Sequence, residues 1–137
     1  MLPCLDISYR SLEHVIVARW MGQTLSDEDF QASYHYLLET AVRHDCRYWL
    51  LDVRRSPPCC TRQATWLLQE FCPRLVAALH PQEPFYGAYL VFPSHLPHYT
   101  NIVLPILDCN TNTCYQVAAF LDEGLTTRWL RRQQARL

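Results

Sequence analysis

The run YWLLDV at residues 48–53 decides the fold class of this chain. It is short and almost wholly apolar, which is typical of a central strand covered on both faces. A second such run, FYGAYLVF at residues 85–92, is stopped by Pro93. The residues between the two runs have helical spacing, and strands that alternate with helices indicate a mostly parallel sheet.

The residues before position 48 predict a β-hairpin followed by a helix. Residues 5–9 alternate apolar and polar side chains, and residues 14–20 are rich in β-branched and aromatic types. Two such runs joined by a short polar turn favour an antiparallel hairpin. Ser26 followed by Asp29 indicates a capped helix start, and apolar residues then recur at helical spacing from Phe30 to Val42.

The residues after position 53 complete the order of elements. Pro57-Pro58 places residues 54–60 in a loop, and a helix starting at Thr61 meets Pro73, which we expect to kink or divide it. Residues 94–112 contain two more prolines and predict a broken helix, before a strand at 115–120 and a final helix capped by Asp122. The prediction is one α/β domain over residues 1–137, in the order β-β-α-β-α-β-(α)-β-α. Its sheet is mixed and mostly parallel, with an antiparallel hairpin at the N-terminus.

Composition excludes several classes of function. All twelve basic residues are arginine, so Schiff-base chemistry and a P-loop lysine are excluded. The formal net charge of −1 gives no general attraction to nucleic acid or anionic lipid. No apolar run approaches the ~20 residues that span a bilayer, and no signal peptide pattern is present. We therefore expect a cytoplasmic protein without a transmembrane segment, whose seven irregularly spaced cysteines are reduced thiols.

The element order resembles that of the STAS domain, the anti-sigma-factor-antagonist fold, and more closely that of its diverged SpoIIAA-like relatives. Three places carry the resemblance: the hairpin ending in residues 15–20, the strand at 49–53, and residues 117–120 followed by Asp122-Glu123 and Trp129-Leu130. The resemblance implies a non-catalytic regulatory module that binds a protein partner, itself, or a small ligand. It also implies, weakly, an affinity for lipids.

The resemblance also points to Thr61. In phosphorylatable members of the family, an Asp-Ser pair, a small residue and a glycine open the helix after the central strand. That position falls near Cys60-Thr61-Arg62-Gln63, where Thr61 would supply the phosphorylated hydroxyl at a helix N-terminus. The aspartate and the glycine of the family pattern are missing here. The alternative is that Thr61 is an ordinary helix N-cap.

The loop at residues 54–61 is the candidate site, because ligands of open α/β sheets collect at the carboxyl ends of parallel strands. Arg54 and Arg55 near a helix N-terminus predict a site for a carboxylate or phosphate, unless both are solvated or paired with Asp52. The same surroundings would lower the pKa of a thiol at Cys59 or Cys60, so the alternative function is a small thiol-dependent enzyme or redox protein. The candidate residues for a small apolar or anionic ligand are Asp52, Arg54, Arg55, Ser56, Cys59, Cys60 and Thr61.

Two further clusters have ordinary explanations that we prefer. His95, His98, Cys109 and Cys114 are residue types that bind zinc, but the spacing of the cysteines departs from the usual short knuckle, and we expect no metal or other cofactor. The arginines near the C-terminus suit the last turns of a helix, so a solvated face is preferred to a nucleic-acid or acidic partner. These arginines are Arg128, Arg131, Arg132 and Arg136.

Overall fold

A computed structural model describes residues 5–21, 26–79, 84–108 and 115–135. Its single five-stranded sheet has the strands in sequence order, β1-β2-β3-β4-β5. The first pair is antiparallel and every later pair is parallel, as predicted from the hairpin and the alternating elements. The strands are β1 (Leu5–Arg10), β2 (Val15–Trp20), β3 (Tyr48–Asp52), β4 (Phe85–Leu90) and β5 (Tyr115–Phe120).

Four helical regions connect or follow the strands. Helix α1 (Asp27–His44) joins β2 to β3, and α2 (residues 61–79) joins β3 to β4. Helix α3 (residues 93–107) lies between β4 and β5, and α4 (Glu123–Gln134) follows β5. The predicted caps at Ser26 and Asp122 are confirmed, since each side chain accepts a hydrogen bond from the backbone N–H three residues later. No helix among the described residues is long and apolar enough to cross a membrane.

Both faces of the sheet are covered, and different helices cover them. The indole of Trp49 lies 6.3 Å from the ring of Phe71 in α2, whereas Tyr86 lies 6.0 Å from Trp129 in α4. Successive side chains on a strand point to opposite faces, so α1, α2 and α3 share one face and α4 packs on the other. Every residue of β3 and β4 is buried, which confirms the prediction that these two runs are central strands.

The prolines change the type of helical turn without dividing the helices. Pro73 follows a π-helical segment, Leu67–Phe71, and α2 continues through Cys72–Leu79. Pro105 likewise follows a π segment, Tyr99–Val103, within α3. In both cases the residue just before the proline donates its N–H to the carbonyl five residues back. The wider turn relieves the clash between a proline ring and the carbonyl four residues earlier, so of the two predicted outcomes at Pro73, a kink or a division, the division does not occur.

Residues 94–112 were predicted to form a broken helix, and here too the structure has changes of helical turn type instead of a break. Helix α3 is a continuous succession of 3₁₀, α and π turns that ends at residue 107, and residues 109–112 lie outside the described part. The helical spacing of Leu125, Trp129 and Leu130 predicts that these residues form the inner face of α4, and the observed face differs from this. Thr126 and Leu130 are fully buried, whereas Leu125 is 42% exposed.

Candidate functional site

A cavity of about 250 Å³ opens on the helix α1–α3 side of the sheet, at the carboxyl ends of β2, β3 and β4. The loop of residues 54–60 forms part of its mouth. Its inner walls are mainly aromatic side chains from β2, α1, β4 and α3: Trp20, Phe30, Tyr34, Tyr89 and Tyr99. A concave, mostly apolar space at this edge of an open α/β sheet is the usual location of a ligand site.

The aromatic side chains of the cavity walls are positioned by their places at the strand ends and by their contacts with the helices. Trp20 is the last residue of β2, and its indole N–H donates to the hydroxyl of Ser33 at 3.1 Å, which fixes the ring against α1. Tyr89 lies one residue before the end of β4, and its ring packs 5.6 Å from that of Tyr99 in α3. Each aromatic side chain is therefore held by a different element, and the cavity lies where these elements converge.

The cavity walls also carry polar groups. The hydroxyls of Tyr34 and Tyr89 are 3.3 Å apart and hydrogen-bonded to each other. The hydroxyl oxygen of Tyr99 accepts a hydrogen bond from the backbone N–H of Cys59 at 3.2 Å, which fastens the loop to α3. The hydroxyl of Ser56 is shielded from solvent and has no hydrogen-bond partner within the described part of the chain.

The buried tyrosines and the Cys59 thiol on these walls are uncharged at neutral pH. Burial raises the pKa values of Tyr34 and Tyr89 well above the usual value for a phenol. Burial also raises the pKa of Cys59 to about 12, which is the opposite of the lowered value expected for a reactive thiol. Cys59 is therefore a protonated, buried thiol.

The predicted anion site lies on the other face of the sheet and is already neutralised. The carboxylate of Asp52 accepts hydrogen bonds from Arg19 at 2.7 Å and from Arg54 at 2.9 and 3.0 Å. Burial alone would raise the pKa of Asp52, but the hydrogen bonds from the two guanidinium groups outweigh it and hold the pKa below its usual value. Arg19 also pairs with Glu123 of α4 at 3.0 Å. Arg54 is thus paired with Asp52, which is the alternative that the sequence left open, and binding of an external anion at this loop stays a prediction.

The seven candidate residues therefore divide into separate groups. Ser56, Cys59 and Cys60 line the cavity, whereas Asp52 and Arg54 belong to the polar network on the opposite face. Arg55 is exposed beside that network and makes no ion pair with a described residue.

Thr61 is exposed and is the first residue of α2. The N-cap is Cys60, whose backbone N–H donates to the side-chain oxygen of Gln63 at 3.2 Å. The N-cap expected at Thr61 is therefore misplaced by one residue, and its phosphorylation stays a prediction.

The zinc candidates and the arginine cluster give no further site. The Nε2 atom of His98 lies 2.6 Å from the carbonyl oxygen of Cys59, so the ring helps to hold the loop. Cys109 and Cys114 fall outside the described residues, among which no group of three metal-binding side chains occurs. Arg128, Arg131 and Arg132 are exposed, as expected for a solvated helix face, and Arg136 is outside the described part.

Sequence reasoning missed the aromatic walls, because it treated the aromatic residues as core. A signal was nevertheless present for two of them. Trp20 and Tyr89 lie at or next to the carboxyl ends of predicted strands, at the edge where ligands of parallel sheets bind. Tyr34 and Tyr99 had no comparable signal, since their hydroxyls reach the cavity only through the packing of α1 and α3.

Comparison of the chain with protein-family models, with curated proteins and with solved structures finds no match. The geometry of the site is therefore the basis for proposing a function.

Proposed function

We propose that this chain is a non-catalytic binding module, and that it takes a small, largely apolar molecule into the cavity behind the loop of residues 54–60. The observation that carries the proposal is the aromatic-walled cavity itself, at the edge of the sheet where α/β proteins bind ligands. The element order and the antiparallel first strand pair are in keeping with a STAS-like domain, which we retain as a proposal together with a cytoplasmic location.

The chemistry of the lining residues favours binding over catalysis. No carboxylate lines the cavity within the described residues, and the Cys59 thiol is protonated at neutral pH because burial raises its pKa. Among those lining residues, Arg62 is the charged one, and it is mostly exposed and paired with Asp27 at 3.0 and 3.1 Å. Neither a general acid–base pair nor an activated nucleophile is brought together there.

A fluorescence titration with N-phenyl-1-naphthylamine tests this proposal. This neutral dye becomes bright in an apolar environment, so the protein is added to a fixed low concentration of dye. Given its ~17 non-hydrogen atoms at roughly 0.3–0.4 kcal/mol each, we expect half-saturation at roughly 10–200 µM protein.

A matched pair of variants shows whether the dye occupies the cavity. Ser56→Phe puts a ring into the cavity lining, and we expect it to abolish the brightening. Ser8→Phe makes the same change at an exposed position of β1, away from the cavity, and should leave the titration unchanged. Equal brightening with wild-type protein and Ser56→Phe, or none with wild-type protein, would refute a ligand site in this cavity.

A further inference from the structure

The cavity walls offer more hydrogen-bond donors than the protein satisfies. Each hydroxyl group has one hydrogen to donate. The hydroxyl of Tyr99 accepts from Cys59, but its own hydrogen has no acceptor among the described residues, and neither has that of Ser56. The hydroxyl of Tyr89 is hydrogen-bonded to that of Tyr34 and interacts with that of Tyr115, so these two pairs use at most two of the three hydroxyl hydrogens. A ligand in this cavity would therefore be favoured if it supplied acceptor oxygens.

The same walls disfavour a charged ligand. A buried anion needs a cation or many convergent donors to offset the loss of its hydration. The guanidinium of Arg62 is at the solvent edge and engaged with Asp27, while those of Arg19 and Arg54 lie on the other face of the sheet with Asp52. A carboxylate or phosphate would thus enter an apolar space without an unpaired positive charge. A neutral acceptor such as a carbonyl oxygen does not carry this penalty.

The volume limits the size of the ligand. A protein cavity of roughly 150 Å³ lined by apolar side chains holds a benzene molecule. A cavity of about 250 Å³ therefore suits a molecule of one or two fused rings, and the third ring of N-phenyl-1-naphthylamine would lie at the open mouth. The aromatic rings of Trp20, Phe30 and Tyr89 on its walls favour a flat molecule that packs against them.

We infer that the ligand of this site is a neutral molecule of one or two rings bearing a carbonyl oxygen, which accepts hydrogen bonds from the hydroxyls of Ser56 and the cavity tyrosines. The inference rests on the proposed function and specifies its ligand class. Aromatic ketones, lactones and related neutral carbonyl compounds belong to this class, whereas aryl carboxylates and pure hydrocarbons do not.

Three probes with the same ring system test the inference by displacing N-phenyl-1-naphthylamine. They are 2-acetylnaphthalene, 2-ethylnaphthalene and 2-naphthoate, which present a ketone, an alkyl group and a carboxylate. We expect the ketone to bind roughly 3- to 10-fold more tightly than the hydrocarbon, through the added hydrogen bond. It should bind at least ~10-fold more tightly than the carboxylate, because the anion must be desolvated without a partner.

Ser56→Ala and Tyr34→Phe then test which protein hydroxyls donate to the carbonyl oxygen of the ligand. Since the Ser56 hydroxyl has no protein partner, its removal should leave the fold intact. The preference for ketone over hydrocarbon should shrink by roughly 3-fold or more in either variant, while the hydrocarbon affinity stays constant. Ser8→Ala, at an exposed position of β1, is the matched control.

The outcomes separate the two proposals. The ligand class is overturned, and the binding site is retained, if the dye binds wild-type protein but the ketone and the hydrocarbon displace it equally well. The same conclusion follows if the carboxylate binds best. An undiminished ketone preference in both hydroxyl variants also overturns the ligand class. Absence of dye binding to wild-type protein overturns the site and the ligand class together.

Discussion

Replacing Asp52 by asparagine should destabilise the protein far more than the same change at Asp27, although both carboxylates pair with arginine. Asp52 is 6% exposed, and its two oxygens divide their contacts evenly. One oxygen accepts from the backbone N–H and Nε of Arg54, at 3.2 and 3.0 Å. The other accepts from Nη1 of Arg19 at 2.7 Å and Nη2 of Arg54 at 2.9 Å. Asparagine keeps one acceptor oxygen and turns the other into a donor that faces guanidinium N–H groups.

The magnitude follows from that count. Two charge-assisted hydrogen bonds are lost, each contributing about 1.5–3 kcal/mol when buried, and the partial exposure of the arginines reduces this. We expect Asp52→Asn to lower the free energy of unfolding by about 2–4 kcal/mol, which moves the urea midpoint down by roughly 1–2 M. Asp27 and Arg62 are 48% and 73% exposed, so Asp27→Asn should have a much smaller effect.

Urea unfolding followed by tryptophan fluorescence, at pH 7 and pH 3, measures both effects. The folded-state pKa of Asp52 is lowered, so its contribution is fully present above the unfolded value of about 3.9 and is lost as the pH falls towards and through the folded value. The difference between wild-type protein and Asp52→Asn should therefore be large at pH 7 and smaller at pH 3. If the two asparagine variants had the same midpoint at pH 7, the buried network would not be the stabilising feature that its geometry indicates.

Three further changes test other contacts. Gly87→Ala should destabilise the protein by about 1–3 kcal/mol in urea titrations, because the added Cβ would lie 2.7 Å from the hydroxyl of Tyr115. Combining it with Tyr115→Phe should relieve part of that cost. If the effects of the two substitutions were simply additive, the clash would be contradicted. Tyr99→Phe should cost about 1–3 kcal/mol by leaving the buried N–H of Cys59 without an acceptor, unlike the exposed change Ser94→Ala. Iodoacetamide at pH 8 should spare Cys59 in the folded protein and modify it in urea, as mapped by mass spectrometry, and rapid labelling of the folded protein would contradict its raised pKa and burial.

Local patterns were sufficient to predict the elements of this fold. The apolar runs at residues 48–53 and 85–92 identified the central strands, and the capping residues Ser26 and Asp122 marked helix starts correctly. Local patterns could not predict how α2 and α3 accommodate prolines. A proline removes one hydrogen bond and adds a clash, but whether the chain responds with a break or a π turn depends on packing around the helix.

The candidate loop borders a cavity, but the partners of Asp52 could not be predicted in full, because they depend on strand register. Arg19 reaches Asp52 because the register between β2 and β3 makes these two residues direct neighbours on one face of the sheet. A one-residue change of register would place them on opposite faces. Nothing in the sequence around position 52 records the partner supplied from position 19. The sequence therefore left open whether Arg54 pairs with Asp52, and it did not predict that Arg19 completes the network.

The alternation of strand side chains explains how one loop serves both a polar network and an apolar cavity. Asp52 ends β3 facing α4, whereas Val53, the next residue, lines the cavity on the other face. The network around Asp52 anchors the start of the loop. At its end, the N–H of Cys59 donates to the hydroxyl of Tyr99, and the carbonyl of Cys59 accepts from the ring of His98. With both ends fixed, Ser56 is held in the cavity lining, and its hydroxyl has no hydrogen-bond partner among the residues that the structure describes. Arg54 thus has a structural role as the partner of Asp52, and we propose that the hydroxyl between the two anchors is the group that meets a ligand.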